Sequence, residues 1–169
     1  MNAEQLRNLQ RPLKEKYRAE PESAVIVHEA HGTVEENISF QVETHNGPVL
    51  AGLHPATGGT GLLACSGDML LQALVGCAGV TLGSVSTAMG ITIRKGIVKA
   101  EGEVDYRGTM AVSKEVPVGF RSIRLIFELD CEADDEKIQT LIRLTERYCV
   151  VYQTIAASTE IESLIRINK

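Results

Sequence analysis

Residues 66–90, SGDMLLQALVGCAGVTLGSVSTAMG, constrain the fold of this chain more than any other segment. Ser66 is a favoured N-cap residue, and Asp68 would stand in the first turn, where the helix dipole favours an acid. No charged residue then follows until Arg94. A long helix that is apolar on every side is stable in a protein core or in a lipid bilayer. The segment therefore predicts a long helix around which the rest of the chain must pack.

A membrane-spanning helix has to be considered first, because ~20 apolar residues are enough to cross a bilayer. Polar side chains interrupt the segment, and stretches with the alternating polarity of strands lie on both sides of it. We therefore expect a buried central helix of a soluble domain, with no membrane as partner. Small residues on one side of this helix indicate the close approach of another backbone. That side carries Ala73, Gly76, Val80 and Gly83, with Gly79 adjacent.

The positions of the charged residues are more informative than the net charge. The chain has 169 residues, which suits one domain, and a formal net charge of −5, which disfavours nucleic acid as a partner. All 17 lysines and arginines lie outside residues 19–93. The chain does not open on a basic segment followed by an apolar run, so the predicted location is cytoplasmic, where thiols stay reduced unless they act in redox chemistry.

Alternating apolar and polar residues predict an α+β fold with a mostly antiparallel sheet. Residues 1–23 are expected to form a helical arm, interrupted at Pro12, and residues 24–169 the main domain. A second helix should start at Asp134 and keep its apolar spacing through Tyr152. The expected strands are 24–29, 38–44, 49–53 after the Asn46-Gly47 turn, 98–107, 123–131, and a closing strand over IESLIRI at 161–167.

Four cysteines, Cys65, Cys77, Cys131 and Cys149, contain no C-x-x-C pair, which argues against a zinc finger or ribbon. Cys77 lies inside the central apolar helix, and Cys149 lies in the second helical segment. A buried cysteine can pack as a small hydrophobic residue or carry redox chemistry, and composition leaves both interpretations open. Cys131 belongs to the inner face of a predicted strand.

The run S-G-D-M-L-L-Q-A-L-V-G-C-A-G-V-T, followed by two strands and E-R-Y-C-V-V-Y-Q-T-I, resembles the OsmC/Ohr family. Proteins of that family are thiol-dependent peroxidases that reduce organic hydroperoxides. The resemblance covers roughly residues 24–169. It implies an OsmC-like fold, with the sheet wrapped around the buried helix, and an intertwined homodimer whose two active sites lie at the subunit interface.

Cys77 matches the first cysteine of the family and Cys149 the second. The resemblance implies that Cys77 attacks the peroxide and that Cys149 resolves the resulting sulfenic acid as a disulfide. An external dithiol or a lipoylated protein would then reduce the pair, and neither a cofactor nor a metal is implied. The alternative is a non-catalytic OsmC-like protein that binds an apolar small molecule at the dimer interface.

The chain departs from the family pattern where the thiolate is held. The family places an arginine before the central helix and a glutamate at its start. Here Gly67 stands at the glutamate position, with Asp68 beside it, and no arginine lies between Arg18 and Arg94. Asp68 is expected to be either a relay residue or an ordinary helix-start acid.

The source of a stabilising cation therefore stays open. It can be Arg18 of the arm, an arginine of the later strands (Arg94, Arg107, Arg121 or Arg124), the partner chain, or protonated His54, which lies near where one branch of the family has its arginine. Cys65 is ~18 Å from Cys77 along one helix, too far to pair with it. It is expected at the rim of the pocket.

Overall fold

The computed structural model describes residues 1–157 and 159–167. Helix α1 (Ala3–Ala19) begins in a capping box, in which the Asn2 side chain and the Gln5 side chain each bond the other's backbone amide. Pro12 lies inside α1 without ending it, so the predicted interruption is wrong. The helix ends before Pro21, as expected, and it packs against the long central helix.

The first sheet is antiparallel and contains β1 (Gly32–Glu35), β2 (Ser39–Val42) and β3 (Val49–Ala51). The turn between β2 and β3 uses Gly47 with a positive φ of 105°. The predicted strand over 24–29 is wrong, because residues 25–31 have no strand and the side chains of 25–27 are exposed. β-branched residues favour a strand only where a neighbouring strand is available to pair with them.

The second sheet is a long antiparallel hairpin of β4 (Ile93–Val104) and β5 (Phe120–Cys131). The short helix α3 (Tyr106–Thr109) begins their connection, where a loop was expected at 108–118. Val98 pairs with Phe127 and Ala100 with Leu125, so the predicted apolar face of each strand meets the core. This hairpin confirms the two strands that the sequence predicted at 98–107 and 123–131, except that the first ends at Val104.

Helix α2 (Ser66–Met89) is the predicted central helix, but its N-cap is Cys65 instead of Ser66. One side of α2 packs on β4 and on the two C-terminal helices, and it buries Leu74, Ala78, Leu82, Val85 and Ser86. The opposite side is open, and Val80 is 78% exposed. The prediction of a fully buried helix is therefore correct only for the side that faces the rest of this chain.

By length and composition α2 could also cross a membrane, and it is the one helix of the described residues with this property. Core helices of soluble proteins pass the same test. Contacts of α2 with β4 and with the C-terminal helices place it in the core of the domain.

The second predicted helix is broken into α4 (Asp135–Tyr148) and α5 (Val150–Ala156). Cys149 stands alone between them with a ψ of 108°, outside the helical region, so the expected continuous helix through Tyr152 is wrong. The core lies between α2, the β4–β5 hairpin, α4 and α5.

The predicted closing strand over 161–167 is wrong as well. Residues 159–167 belong to no strand, and the apolar side chains of Ile161, Leu164 and Ile165 are exposed. Within the described ranges no strand pairs with this segment. A segment with alternating polarity forms a strand only where another strand pairs with it.

We expect Leu141→Ala to lower the free energy of unfolding by about 2–5 kcal/mol, because Leu141 is 0% exposed and packs with Leu82 and Val85 of α2. Urea titrations at one protein concentration measure the change. Leu164→Ala is the control, since Leu164 is 78% exposed and its loss should stay within about 0.5 kcal/mol. A loss below about 1 kcal/mol at Leu141 would contradict the packing described here.

Candidate active site: Cys77 and Cys149

The thiols of Cys77 and Cys149 contact each other in one apolar cluster. Cys77 is half-buried in the middle of α2, whereas Cys149 is 0% exposed at the junction of α4 and α5. Both are free thiols in this structure. Packing of the C-terminal helices against α2 therefore brings together two cysteines that lie far apart in the sequence.

The break between α4 and α5 fixes the position of Cys149. Its sulfur is the N-cap acceptor of α5 and receives the backbone amide of Tyr152 at 3.4 Å. Burial raises the pKa of the Cys149 thiol; the Tyr152 amide opposes this shift, and the neighbouring Cys77 adds to it. Cys149 is therefore held as a neutral thiol.

The pKa of Cys77 moves in the opposite direction. Burial alone would raise it, but hydrogen bonds to its sulfur outweigh burial and bring the pKa below its ordinary value. The donors, in order of effect, are the Val151 amide, the Cys149 thiol, the Val150 amide and the Thr81 hydroxyl. Since the thiolate is the reactive form of cysteine, Cys77 is the better nucleophile of the pair.

An apolar cavity of about 540 Å³ lies against the cluster that holds the cysteine pair, and neither cysteine is among its lining residues. Leu74, Ile123, Leu125 and Tyr152 line it and also pack in the cluster that holds both thiols. Arg121 and Glu146 are its charged lining residues. A cavity of this size and polarity suits a small organic molecule with one polar end.

Among the described residues, no cationic side chain bonds the Cys77 sulfur. The arginines of the later strands, which the sequence offered as stabilising cations, are paired with carboxylates at the protein surface. These pairs are Arg94 with Asp130 and Glu132, Arg107 with Asp105, Arg121 with Glu103, and Arg124 with Glu101. Arg18 lies exposed in the last turn of α1.

His54, Cys65 and Asp68 lie together at the N-terminal end of α2, where they line a cavity of about 660 Å³ with Tyr106. The His54 ring stacks on Tyr106 with 5.0 Å between centroids. Burial raises the pKa of Tyr106, and the nearby Cys65 and Asp68 raise it further. Twelve residues of α2 separate Cys65 from Cys77, or ~18 Å, so this chain alone does not bring the group to the thiol pair.

His54 is also poorly placed to serve as a cation. Its Nδ1 accepts the backbone amide of Ala56 at 3.0 Å, which caps the short 3₁₀ turn at Pro55–Thr57. This bond holds the imidazole at the turn that precedes α2, away from Cys77. Among residues 1–157 and 159–167, no three His, Cys, Asp or Glu side chains are grouped to hold a metal ion.

Sequence reasoning missed Thr81 and the amides of Val150 and Val151. Thr81 could have been found from its spacing, because residues four apart in a helix lie on one side. The two amides could not, because the continuous apolar spacing concealed the break at Cys149 that directs them toward Cys77.

The family model for the OsmC-like protein matches residues 59–163, which include Cys77 and Cys149. The chain belongs to the OsmC-like family. The match starts at the loop before α2 and ends within the C-terminal segment, so it contains the central helix, the β4–β5 hairpin and both C-terminal helices.

Solved structures support the OsmC-like fold over more of the chain. The OsmC-like protein of Mycoplasma pneumoniae is 17% identical, with a TM-score of 0.66, and the alignment covers 79% of this chain and 89% of that one. An organic hydroperoxide resistance protein of Elizabethkingia anophelis is 14% identical, with a TM-score of 0.59 and coverage of 79% and 91%. At these identities the likeness shows the fold alone.

The organic hydroperoxide resistance protein OhrB of Bacillus subtilis aligns with a TM-score of 0.53 at 16% identity, covering 79% of this chain and 94% of that one. No curated protein matches this OsmC-like chain. The α+β fold that the sequence predicted is thus the fold of the family.

Proposed function

We propose that the chain is a thiol peroxidase that reduces organic hydroperoxides, with Cys77 attacking and Cys149 resolving. The observation that carries the proposal is the contact of two free thiols with pKa values shifted in opposite directions. Two titratable groups whose surroundings separate their pKa values are typical of a catalytic pair. Solved neighbours with the same fold include organic hydroperoxide resistance proteins.

The chemistry balances in three steps. The Cys77 thiolate attacks the distal oxygen of ROOH, the O–O bond breaks, and the alkoxide leaves and takes a proton to become ROH. Cys149 then attacks the Cys77 sulfenic acid, which forms the disulfide and releases water. A dithiol, free or carried as a lipoyl group on a protein, reduces the disulfide by exchange and is itself oxidised to a disulfide.

The apolar cavity beside the cluster that holds the pair favours an organic substrate over hydrogen peroxide. Its wall of Leu74, Ile123 and Leu125 gains free energy from an apolar group, at roughly 25 cal/mol per Å² of surface buried. Hydrogen peroxide has no such group. The proposed substrates are therefore small organic hydroperoxides.

The competing function is a non-catalytic OsmC-like protein that binds an apolar small molecule at a dimer interface. The feature in its favour is the lack of a cation among the described contacts of Cys77, since a cation is the stronger way to hold a buried thiolate. In that case both cysteines would be packing residues, and peroxide would leave them reduced.

Counting thiols after one equivalent of cumene hydroperoxide separates the two functions. For the peroxidase we expect the loss of two thiols per chain, and peptide mapping should find a Cys77–Cys149 cross-link. Cys65 and Cys131 should stay reduced and serve as internal controls. An equal dose of hydrogen peroxide should react more slowly. Four thiols unchanged after the cumene hydroperoxide dose would support the binding protein instead.

A further inference from the structure

Phe120, the first residue of β5, lies where two cavities beside α2 meet. One is the apolar cavity of about 540 Å³ against the cysteine cluster, and the other is the cavity of about 660 Å³ that holds His54 and Tyr106. Among the described residues Phe120 is the one that lines both cavities. On α2, Leu70 lines the first cavity and its neighbour Leu71 lines the second. The two cavities therefore follow one another along α2, with the Phe120 ring at their boundary.

The ring reaches from the β4–β5 hairpin to the first turn of α2. A Cβ atom built at Gly102 of β4 would collide with the Phe120 ring, and one built at Gly67 of α2 would lie 3.5 Å from it. The lack of a side chain at both glycines leaves the space that the ring fills. Phe120 is half-buried there and closes the gap between strand and helix.

A β-bulge turns the Phe120 ring toward the cavities. The register of β4 with β5 shifts between Glu103 and Val104, which makes Arg121 an extra residue in β5. Successive residues of a regular strand point to opposite faces, so without the shift Phe120 would face away from Leu125 and the core. Bulges re-aim side chains in this way.

The apolar cavity has one end at the cysteine cluster and the other at Phe120. Leu74, Leu125 and Tyr152 belong both to its wall and to the cluster that holds the thiols, whereas Phe120 lies outside that cluster. Along β5, Phe120 and Leu125 are ~17 Å apart. A hydroperoxide group at Cys77 would thus direct its organic group along this cavity toward the ring.

We propose that the Phe120 ring is a specificity-determining partition, which ends the cavity for the organic group and limits the length of linear groups that the site accepts. This substrate preference rests on the proposed peroxidase function. The second cavity has apolar side chains of its own, among them Leu71, Val104 and Val118. An alkyl chain would continue into it if the ring were absent.

The length limit is a binding property, so it can be measured without a peroxide. The test is calorimetric titration of the reduced full chain with linear alcohols from hexanol to tetradecanol, which resemble the product and do not oxidise thiols. In the wild type the affinity should rise about four-fold with each methylene and level off once the chain reaches the ring. Phe120→Ala should extend the rise by roughly two carbons or more, a gain of at least about ten-fold for the longest alcohols.

Ile155→Ala is the matched control. Ile155 lines the same cavity and packs in the cysteine cluster, so its loss enlarges the cavity at the end away from the partition. The length at which the affinity levels off should then stay within about one carbon of the wild-type value. Phe120→Leu keeps an apolar but shorter side chain and should give an intermediate limit, and it replaces Phe120→Ala if that variant is poorly folded.

Equal length limits in wild type and the Phe120 variants would overturn the proposal, and so would an equal extension in Ile155→Ala. A wild-type affinity that keeps rising through tetradecanol, or no binding of any alcohol, would overturn it as well. The matching linear hydroperoxides test the proposed function separately. If the alcohols show the limit and the hydroperoxides are not consumed, the partition stands and the peroxidase function fails.

Discussion

Cys77→Ser protein should consume no cumene hydroperoxide, whereas Cys149→Ser protein should consume one equivalent and stop. The serine hydroxyl is not ionised near neutral pH and cannot replace the Cys77 thiolate as nucleophile. Without Cys149 the Cys77 sulfenic acid has no neighbouring thiol with which to condense. A dimedone adduct on Cys77, detected by mass spectrometry, should therefore appear in Cys149→Ser and be scarce in the wild type.

The matched controls are Cys65→Ser and Cys131→Ser. Cys65 lines the cavity at the N-terminal end of α2, and Cys131 packs against the core cluster that contains Leu141, so neither contacts the reacting pair. Both variants should keep wild-type turnover with a dithiol reductant. Turnover in Cys77→Ser, or its loss in Cys65→Ser, would require a different attacking thiol.

We also expect the wild-type chain to sediment as a dimer at micromolar concentration and Val80→Asp to sediment as a monomer. We propose that a second copy covers the open side of α2, where Val80 lies with Ala73, Gly76 and Gly83. A Cβ atom built at Gly76, Gly79 or Gly83 would meet no atom within 4 Å apart from the surrounding turns of α2 itself, so the small residues leave room for another backbone. An unpaired carboxylate buried there would be costly.

Val112→Asp is the control for this experiment. Val112 is 72% exposed and lies in the loop between α3 and β5, so it matches Val80 in size and exposure while standing away from α2. This variant should remain dimeric. Obligate interfaces usually exceed ~2,000 Å² of buried area, which a dimer stable at micromolar concentration would reflect. A wild-type monomer would remove the proposed interface, and a dimeric Val80→Asp would move it to another surface.

The elements that the sequence predicted well are those whose partners lie in the same chain. β4 and β5 alternate in polarity and pair with each other, and α2 carries a long uncharged run that ends at Gly90 in the left-handed conformation. The two predicted strands that did not form have no pairing strand among the described residues. Residues 24–29 and 161–167 have strand-like patterns, but a pattern becomes a strand only when a second edge supplies hydrogen bonds.

The candidate site could be foreseen only in part. Only the resemblance to a family singled out Cys77 and Cys149, since composition alone favours packing as the role of each cysteine. Their contact depends on a single non-helical residue between α4 and α5, and helical spacing continues across it without a signal. The resemblance predicts His54 near the thiol, and the position of Cys65 before α2 predicts it at the rim of the pocket, but about three turns of that helix separate Cys65 from Cys77.

The Cys77 and Cys149 thiols are already in contact in the reduced protein. This contact determines which of two competing reactions the oxidised Cys77 undergoes faster. A sulfenic acid at Cys77 has two fates: condensation with Cys149, or a second peroxide that drives it to the irreversible sulfinic acid. The first is intramolecular, with the partner already in place, and well-oriented groups react at effective concentrations of about 10⁵ M or more. The second depends on the amount of free peroxide. Because the disulfide would form without local unfolding, such an enzyme would stay active at high peroxide concentrations. The same concentrations would inactivate peroxidases whose two cysteines must first move together.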